Sequence, residues 1–204
     1  MVGERRVITM LFCDVKGSTA AAEKVDPETW TDIMNGAFEC MIRPIYKYEG
    51  LVPRLMGDAI LAFFGAPIPQ EDHADRAILT GLMLQRLVGE WNAERDKAGL
   101  PAVRIRVGIN SGPAVVGNVG TEKRVDYTVL GSAVNIASRL ESGVAKPGQV
   151  VISQNTIDRT LGSFETEALG EFALKGLQQK MPVYAVLSSA ALPKPSTETM
   201  HASR

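Results

Sequence analysis

The segment Gly50 to Gly65, GLVPRLMGDAILAFFG, constrains the fold of this chain more than any other stretch. Two apolar runs are joined by Met56-Gly57-Asp58, which reads as a β-hairpin carrying an acid at its tip. A second acid stands in a comparable place. Val7 to Thr19, VITMLFCDVKGST, is a β-branched and aromatic run that ends in Asp14 and opens at once into a Gly-Ser-Thr turn, so it reads as strand, acid, then phosphate-sized loop. Each Asp taken alone has a local explanation, because Asp is common at strand ends and turns. If the strands are neighbours in one sheet, both carboxylates emerge at the same edge, where hard oxygen ligands suit Mg²⁺ or Mn²⁺ carrying substrate phosphates.

Asp126 to Glu141, DYTVLGSAVNIASRLE, places Asn135 and Arg139 on one face of a short helix after a Gly-containing strand end. A planar amide beside a permanently charged guanidinium suits a sugar-phosphate. The alternative is a solvated stripe in which Asn135 is neutral and Arg139 pairs with a nearby acid such as Glu141.

The remaining pattern supplies a scaffold. Asp26-Pro27-Glu28 reads as N-cap, first-turn proline and helix-start acid, and Trp30, Ile33, Met34, Ala37, Phe38, Met41, Ile42 and Ile45 follow at helical spacing, with Pro44 near the end. Asp72 is the expected cap of a second helix, whose apolar stripe is Ala74, Ala77, Ile78, Leu82, Leu87, Val88 and Trp91. Val103 to Asn110 and Ala114 to Val119 read as two strands flanking Ser111-Gly112-Pro113, and Tyr127 to Leu130 as a third. Val150 to Ser153 and Val183 to Leu187 complete the strand set, with Gln154 to Leu161 as a short helix between them. Beyond Leu187 the composition turns to Ser, Ala, Pro and Thr without periodicity, as in a linker or tail.

Composition excludes several classes. At 204 residues and 45% hydrophobic, the chain can bury one domain's core and is neither disordered nor fibrous. A formal net charge of −1 offers no global footprint for nucleic acid or an anionic membrane. Cys13 and Cys40 are too few for a disulfide framework or a Cys-rich metal site, which fits a reduced, cytoplasmic compartment. The longest apolar stretch, Ala59 to Ile68, is broken by Gly65 and Pro67 and is far shorter than a membrane span.

LFCDVKGST, RLMGDAILAFFG, VGINSGPAVVGNVG and DYTVLGSAVNIASRLE occur together in this order. On these motifs, and over roughly Glu4 to Leu187, the chain resembles the class III nucleotidyl cyclases. The resemblance implies an α+β, ferredoxin-like sandwich working as a head-to-tail dimer, with a catalytic domain over 1–187 and a flexible tail or linker over 188–204. In the family, ATP loses pyrophosphate as its ribose 3′-hydroxyl attacks the α-phosphate. By resemblance, Asp14 and Asp58 are carboxylate ligands of two divalent metal ions, Mg²⁺ or Mn²⁺, with the backbone carbonyl of Val15 beside them. The amides of Gly17, Ser18 and Thr19 are set against the terminal phosphates. Asn135 orients the ribose, Arg139 neutralises charge on the α-phosphate, and Lys175, in EFALKGL, matches the triphosphate-binding lysine. Lys123 or Arg124 reaches the phosphates from the other subunit. The aspartates come from one subunit, and Arg54, Thr128, Asn135, Arg139 and Lys175 from its partner, so a C2 homodimer builds two equivalent sites.

Base choice is where the chain departs from the family's pattern. Thr128 supplies the hydroxyl that helps to read adenine and matches the bicarbonate-responsive soluble subgroup, which would make bicarbonate an effector. Arg54, however, stands where adenine-specific members have a lysine, and a planar fork is longer and bulkier than an ammonium. Nothing resembles the Glu and Cys pair that reads guanine. The expectation is an adenylyl cyclase with ATP as substrate. The alternatives are relaxed choice between ATP and GTP, or a weakly catalytic nucleotide-binding, dimerising regulatory module. A diguanylate cyclase lacks support, because Met56-Gly57 precedes Asp58 in place of an acidic Gly-Gly hairpin.

Overall fold

The computed structural model describes residues 3–17, 23–121, 124–175 and 177–192, with side chains described for all of these except 119–121, 124 and 125. The first six elements are β1 (Gly3–Val15), α1 (Pro27–Lys47), β2 (Leu51–Met56), β3 (Ala59–Phe64), α2 (His73–Lys97) and β4 (Ile105–Thr121). Their sheet order is β2-β3-β1-β4, and this βαββαβ unit is the ferredoxin-like arrangement. β5 (Arg124–Leu130) and α3 (Ser132–Gly143) follow, then β6 (Val150–Ser153), α4 (Gln154–Ile157), β7 (Phe164–Phe172) and β8 (Met181–Ser189). The last three strands extend the sheet beyond β4 in the order β6-β8-β7, and β5 pairs with the far half of β4.

Sequence periodicity explains the layers. β1 is apolar on both faces because both are covered. Leu11, Cys13 and Val15 join Met34, Ala37, Met41 and Ile45 of α1 and Ile78, Leu84 and Val88 of α2 in one core, while Ile8 and Met10 join Phe63, Val129, Ala133 and Ala137 in another, under α3. The same alternation divides β3, whose Ile60, Ala62 and Phe64 face the first core and Leu61 and Phe63 the second. Helix α1 starts as its sequence requires, with the Asp26 carboxylate accepting from the Thr29 amide at 2.8 Å.

Several expectations need correction. Asp72 makes no side-chain cap; its carboxylate instead accepts from Arg76 Nε at 2.7 Å. Ser111-Gly112-Pro113 does not interrupt β4, which runs unbroken through it. Along the edge away from β1, β4 pairs with β6 as far as Ile109 and with β5 from Val115, so the proline falls in the gap between two partners. The helix after β6 stops at Ile157. β7 is absent from the sequence reading because it is an exposed, polar strand paired only to β8, without the apolar alternation that marks a half-buried strand. β8 runs past Leu187 to Ser189, which bridges to Leu192. The rest of the expected tail, from residue 193, lies outside the described residues. No described helix is long and apolar enough to cross a membrane.

His73 opens α2 half-buried, its Nδ1 2.6 Å from Thr9 Oγ1 on β1. Burial, and then the Arg159 charge, outweigh Asp72 and Asp75 and hold its pKa below the usual 6.5. A histidine depressed in the folded state contributes stability that is present above its unfolded pKa and is lost as pH falls through the lower folded value. Urea unfolding below pH 6.5 should therefore lose stability more steeply in the wild type than in His73→Asn, whose amide keeps a donor near Thr9 but does not titrate.

Candidate functional site

The hairpin and β1 bring the two aspartates to one corner of the sheet. Asp14 is in register with Ala59, the residue after Asp58, and the Val15 amide donates to the Asp58 carbonyl at 3.1 Å. Gly57 (φ +63°) and Gly17 (φ +76°) take left-handed backbone at the two turns that flank the corner. Val15 is buried and Gly17 exposed. Ser18, Thr19 and Lys123 lie outside the described residues, as does the side chain of Arg124. Among the described residues, no group of three or more His, Cys, Asp or Glu side chains is placed to hold a metal. A cation at this corner would therefore draw on two carboxylates, backbone oxygen and ligand oxygens.

Arg106 is the residue that sequence reasoning missed. It stands opposite Asp14 across the β1/β4 ladder. Its Nη2 and Nε donate to the two Asp14 carboxylate oxygens at 2.9 and 3.2 Å, and its Nη1 donates to the Ser142 carbonyl at the end of α3. The same Nη2 lies 2.8 Å from Glu141 Oε1, an ion pair without hydrogen-bond alignment. Only the register reveals this partnership. The available signal was an arginine directly before VGINSG, which a lone solvated arginine would imitate. The Arg139–Glu141 pair of the alternative reading does not form, and Arg106 lies against Glu141 instead.

The electrostatics of the triad follow from crowding. Burial, and then the adjacent Asp14, push the Glu141 carboxyl up to about 8, against the opposing pull of Arg106. Asp14, the largest cause, raises Arg106 further above its usual value. The three side chains are 19%, 14% and 7% exposed for Asp14, Arg106 and Glu141, so removing the shared cation leaves two poorly solvated acids facing each other. Arg106→Ala should cost about 3 kcal/mol of unfolding free energy in EDTA, and adding Glu141→Gln should return part of it; urea titrations of both variants check this.

Helix α3 carries the other set. Ala133, Ala137 and Leu140 are buried, whereas Asn135 is exposed and Arg139 half-buried. Two residues along a helix are about 200° apart, so Asn135 and Arg139 lie opposite Ala137, on the side turned from their own sheet. Arg54 is exposed on β2 and Thr128 half-buried on β5, and these two strands touch. Lys175 is exposed in the β7–β8 connection, beside the buried anchor Leu174. A groove of about 530 Å³ between α2 and β8 is lined by residues such as Leu82, Gln85, Val186 and Leu192 and includes none of these groups.

Comparison with known proteins gives these features a family. Residues 2–188 match the model of the adenylate and guanylate cyclase catalytic domain. The chain is 31% identical over 189 residues to an adenylate cyclase of Anabaena cylindrica, covering 89% of this chain and 37% of that protein. It is 29% identical to adenylate cyclase 1 of Rhizobium meliloti, covering 90% of this chain and 28% of that protein, so it spans about a third of the length of these curated relatives. Among solved structures, the adenylyl cyclase CyaB from P. aeruginosa superposes with a TM-score of 0.89 at 30% identity, covering 95% of this chain and 100% of that one. The guanylyl cyclase Cya2 superposes with a TM-score of 0.87 at 34% identity, covering 97% and 98%. The matched span covers nearly the whole chain, which therefore belongs to the class III nucleotidyl cyclase catalytic domain family.

Proposed function

We propose that the chain is an adenylyl cyclase domain that converts ATP to 3′,5′-cyclic AMP and pyrophosphate as a head-to-tail homodimer. One observation carries the reading. The carboxylates are built on the sheet at the β1/hairpin corner, and Asn135 and Arg139 sit on the side of α3 turned away from that sheet. Groups arranged this way meet most simply across a two-fold interface, which pairs one subunit's acids with the partner's helix and repeats the site twice.

Asp14 and Asp58 offer hard oxygen donors at one corner, and each Asp14 oxygen keeps a lone pair beyond the one that Arg106 engages. With the Val15 carbonyl, these carboxylates would hold Mg²⁺ or Mn²⁺. Such ions, when bound, favour the ionised 3′-hydroxyl and offset charge on the departing pyrophosphate. The chain's own residues do the rest. Asn135 orients the ribose. Arg139 neutralises charge that grows on the α-phosphate, an interaction strongest in the transition state. Lys175 and the amides of Gly17, Ser18 and Thr19 grip the terminal phosphates, with Lys123 reaching across. Thr128 and Arg54, on touching strands, read the adenine edge.

Incubation with equimolar ATP and GTP should give cyclic AMP in excess, more with Mn²⁺ than with Mg²⁺, and Arg139→Ala should lower the rate about 10²–10³-fold. Equal turnover of the two nucleotides would defeat the adenine assignment. Arg54 favours a second reading, a regulatory module with little catalysis, and a verified dimer that yields no cyclic product under either metal would support it. Asp58→Ala should abolish turnover while size-exclusion chromatography still returns a dimer; loss of the dimer would mean that Asp58 serves the fold.

A further inference from the structure

The motif VGINSG is not accounted for by the corner or by the outward face of α3, yet its Asn110 is fully buried and polar. Gly108, Asn110 and Gly112 alternate along β4 and face α3. A Cβ on Gly108 would come within 2.6 Å of the Ala137 carbonyl oxygen, and one on Gly112 within 3.0 Å of Ala133 Cβ, so the helix backbone rides directly on the strand. Asn110 is the polar group in this contact: its Nδ2 donates to the Ala133 carbonyl, in the first turn of α3, at 2.9 Å.

The direction of that bond is set by a chain of buried hydroxyls. A carbonyl only accepts, so the amide nitrogen of Asn110 faces Ala133 and its Oδ1 must accept, here from Ser153 Oγ at 2.6 Å. Ser153 has then used its one proton and must accept from Thr156 at 3.2 Å. By the same count Thr156 accepts from Ser111 at 3.1 Å, Ser111 from Thr9 at 2.6 Å, and Thr9 from His73 at 2.6 Å. Every donor points the same way, from Nδ1–H of His73 at the start of α2, round the end of β6, to α3. The four hydroxyl residues are all fully buried, so a reversed amide would leave unpaired groups away from water.

We propose that Asn110 is a positioning residue for the reaction: locked by Ser153, its amide fixes the first turn of α3 on β4 and thereby the placement of Asn135 and Arg139. The inference rests on the cyclase reading for its catalytic consequence. Asn110→Asp keeps size and shape and can still accept from Ser153, and compared with wild type at alkaline pH, where it is a carboxylate, it has no proton to give Ala133. It should lower kcat by about 10-fold or more, as small misplacements of reacting groups do, with KM for ATP within about 3-fold of wild type. Hydrogen exchange should quicken across 132–143. Thr9→Val breaks the chain at its far end, leaves the Asn110–Ala133 bond in place and should cost stability with kcat unchanged. An Asn110→Asp enzyme with wild-type kcat, or a kcat loss in Thr9→Val matching that of Asn110→Asp, would overturn the proposal. If Asn110→Asp does not fold, Ser153→Ala takes its place, with a fall in kcat expected and unchanged kcat overturning the inference. Should the wild type make no cyclic product, the functional reading fails first. Exchange still decides the structural claim, because unchanged protection of α3 in the folded variant would refute it.

Discussion

The close seat of α3 on β4 is the contact on which the site depends. Strand meets helix backbone at Gly108, and Ala133 Cβ at Gly112, only because neither glycine presents a side chain, and one helix then serves several ends. Its inner side closes the second core through Ala133 and Ala137, its last turn delivers Glu141 and the Ser142 carbonyl to Arg106, and its outer side carries Asn135 and Arg139. A shift of the helix along the strand would move all of these together. Packed interiors resist such shifts because they are as dense as organic crystals.

Charge at the corner is arranged with the same economy. Two acids, Asp14 and Glu141, share one guanidinium in a poorly solvated place. Burial, and then Asp14, raise the Glu141 carboxyl against the pull of that one cation. Buried ion pairs of this kind contribute little net stability, because desolvation offsets most of the attraction. Their value lies in keeping a carboxylate oriented at the surface, and Asp14 is held by two nitrogens of one rigid fork.

Local signals made much of the scaffold legible. Asp26-Pro27 marked the start of α1, and the capping bond is there. Gly57 marked the hairpin turn, and it takes the left-handed backbone that a glycine permits. The reading failed where the deciding neighbour was remote in sequence. Pro113 looked like a break until β4's partners left a gap opposite it. Asp72 is the local exception, because Arg76, one helical turn on, takes the carboxylate that looked like a cap. Asp75, unremarked in the sequence, is buried and accepts from the amides of Leu161 and Gly162, in a loop far along the chain.

The βαββαβ order, the hairpin with Asp58 at its tip, and the shared helix face of Asn135 and Arg139 are legible in the chain before it folds, because periodicity, turn residues and i, i+4 spacing are local properties. Tertiary structure alone decided that Arg106, rather than Arg139, takes Glu141, and that Asn110 is tied to Ser153 and the first turn of α3. Those pairings follow from strand register and from the depth at which a helix settles on a sheet. Both are set by the packing of the whole domain, and no window of sequence contains them.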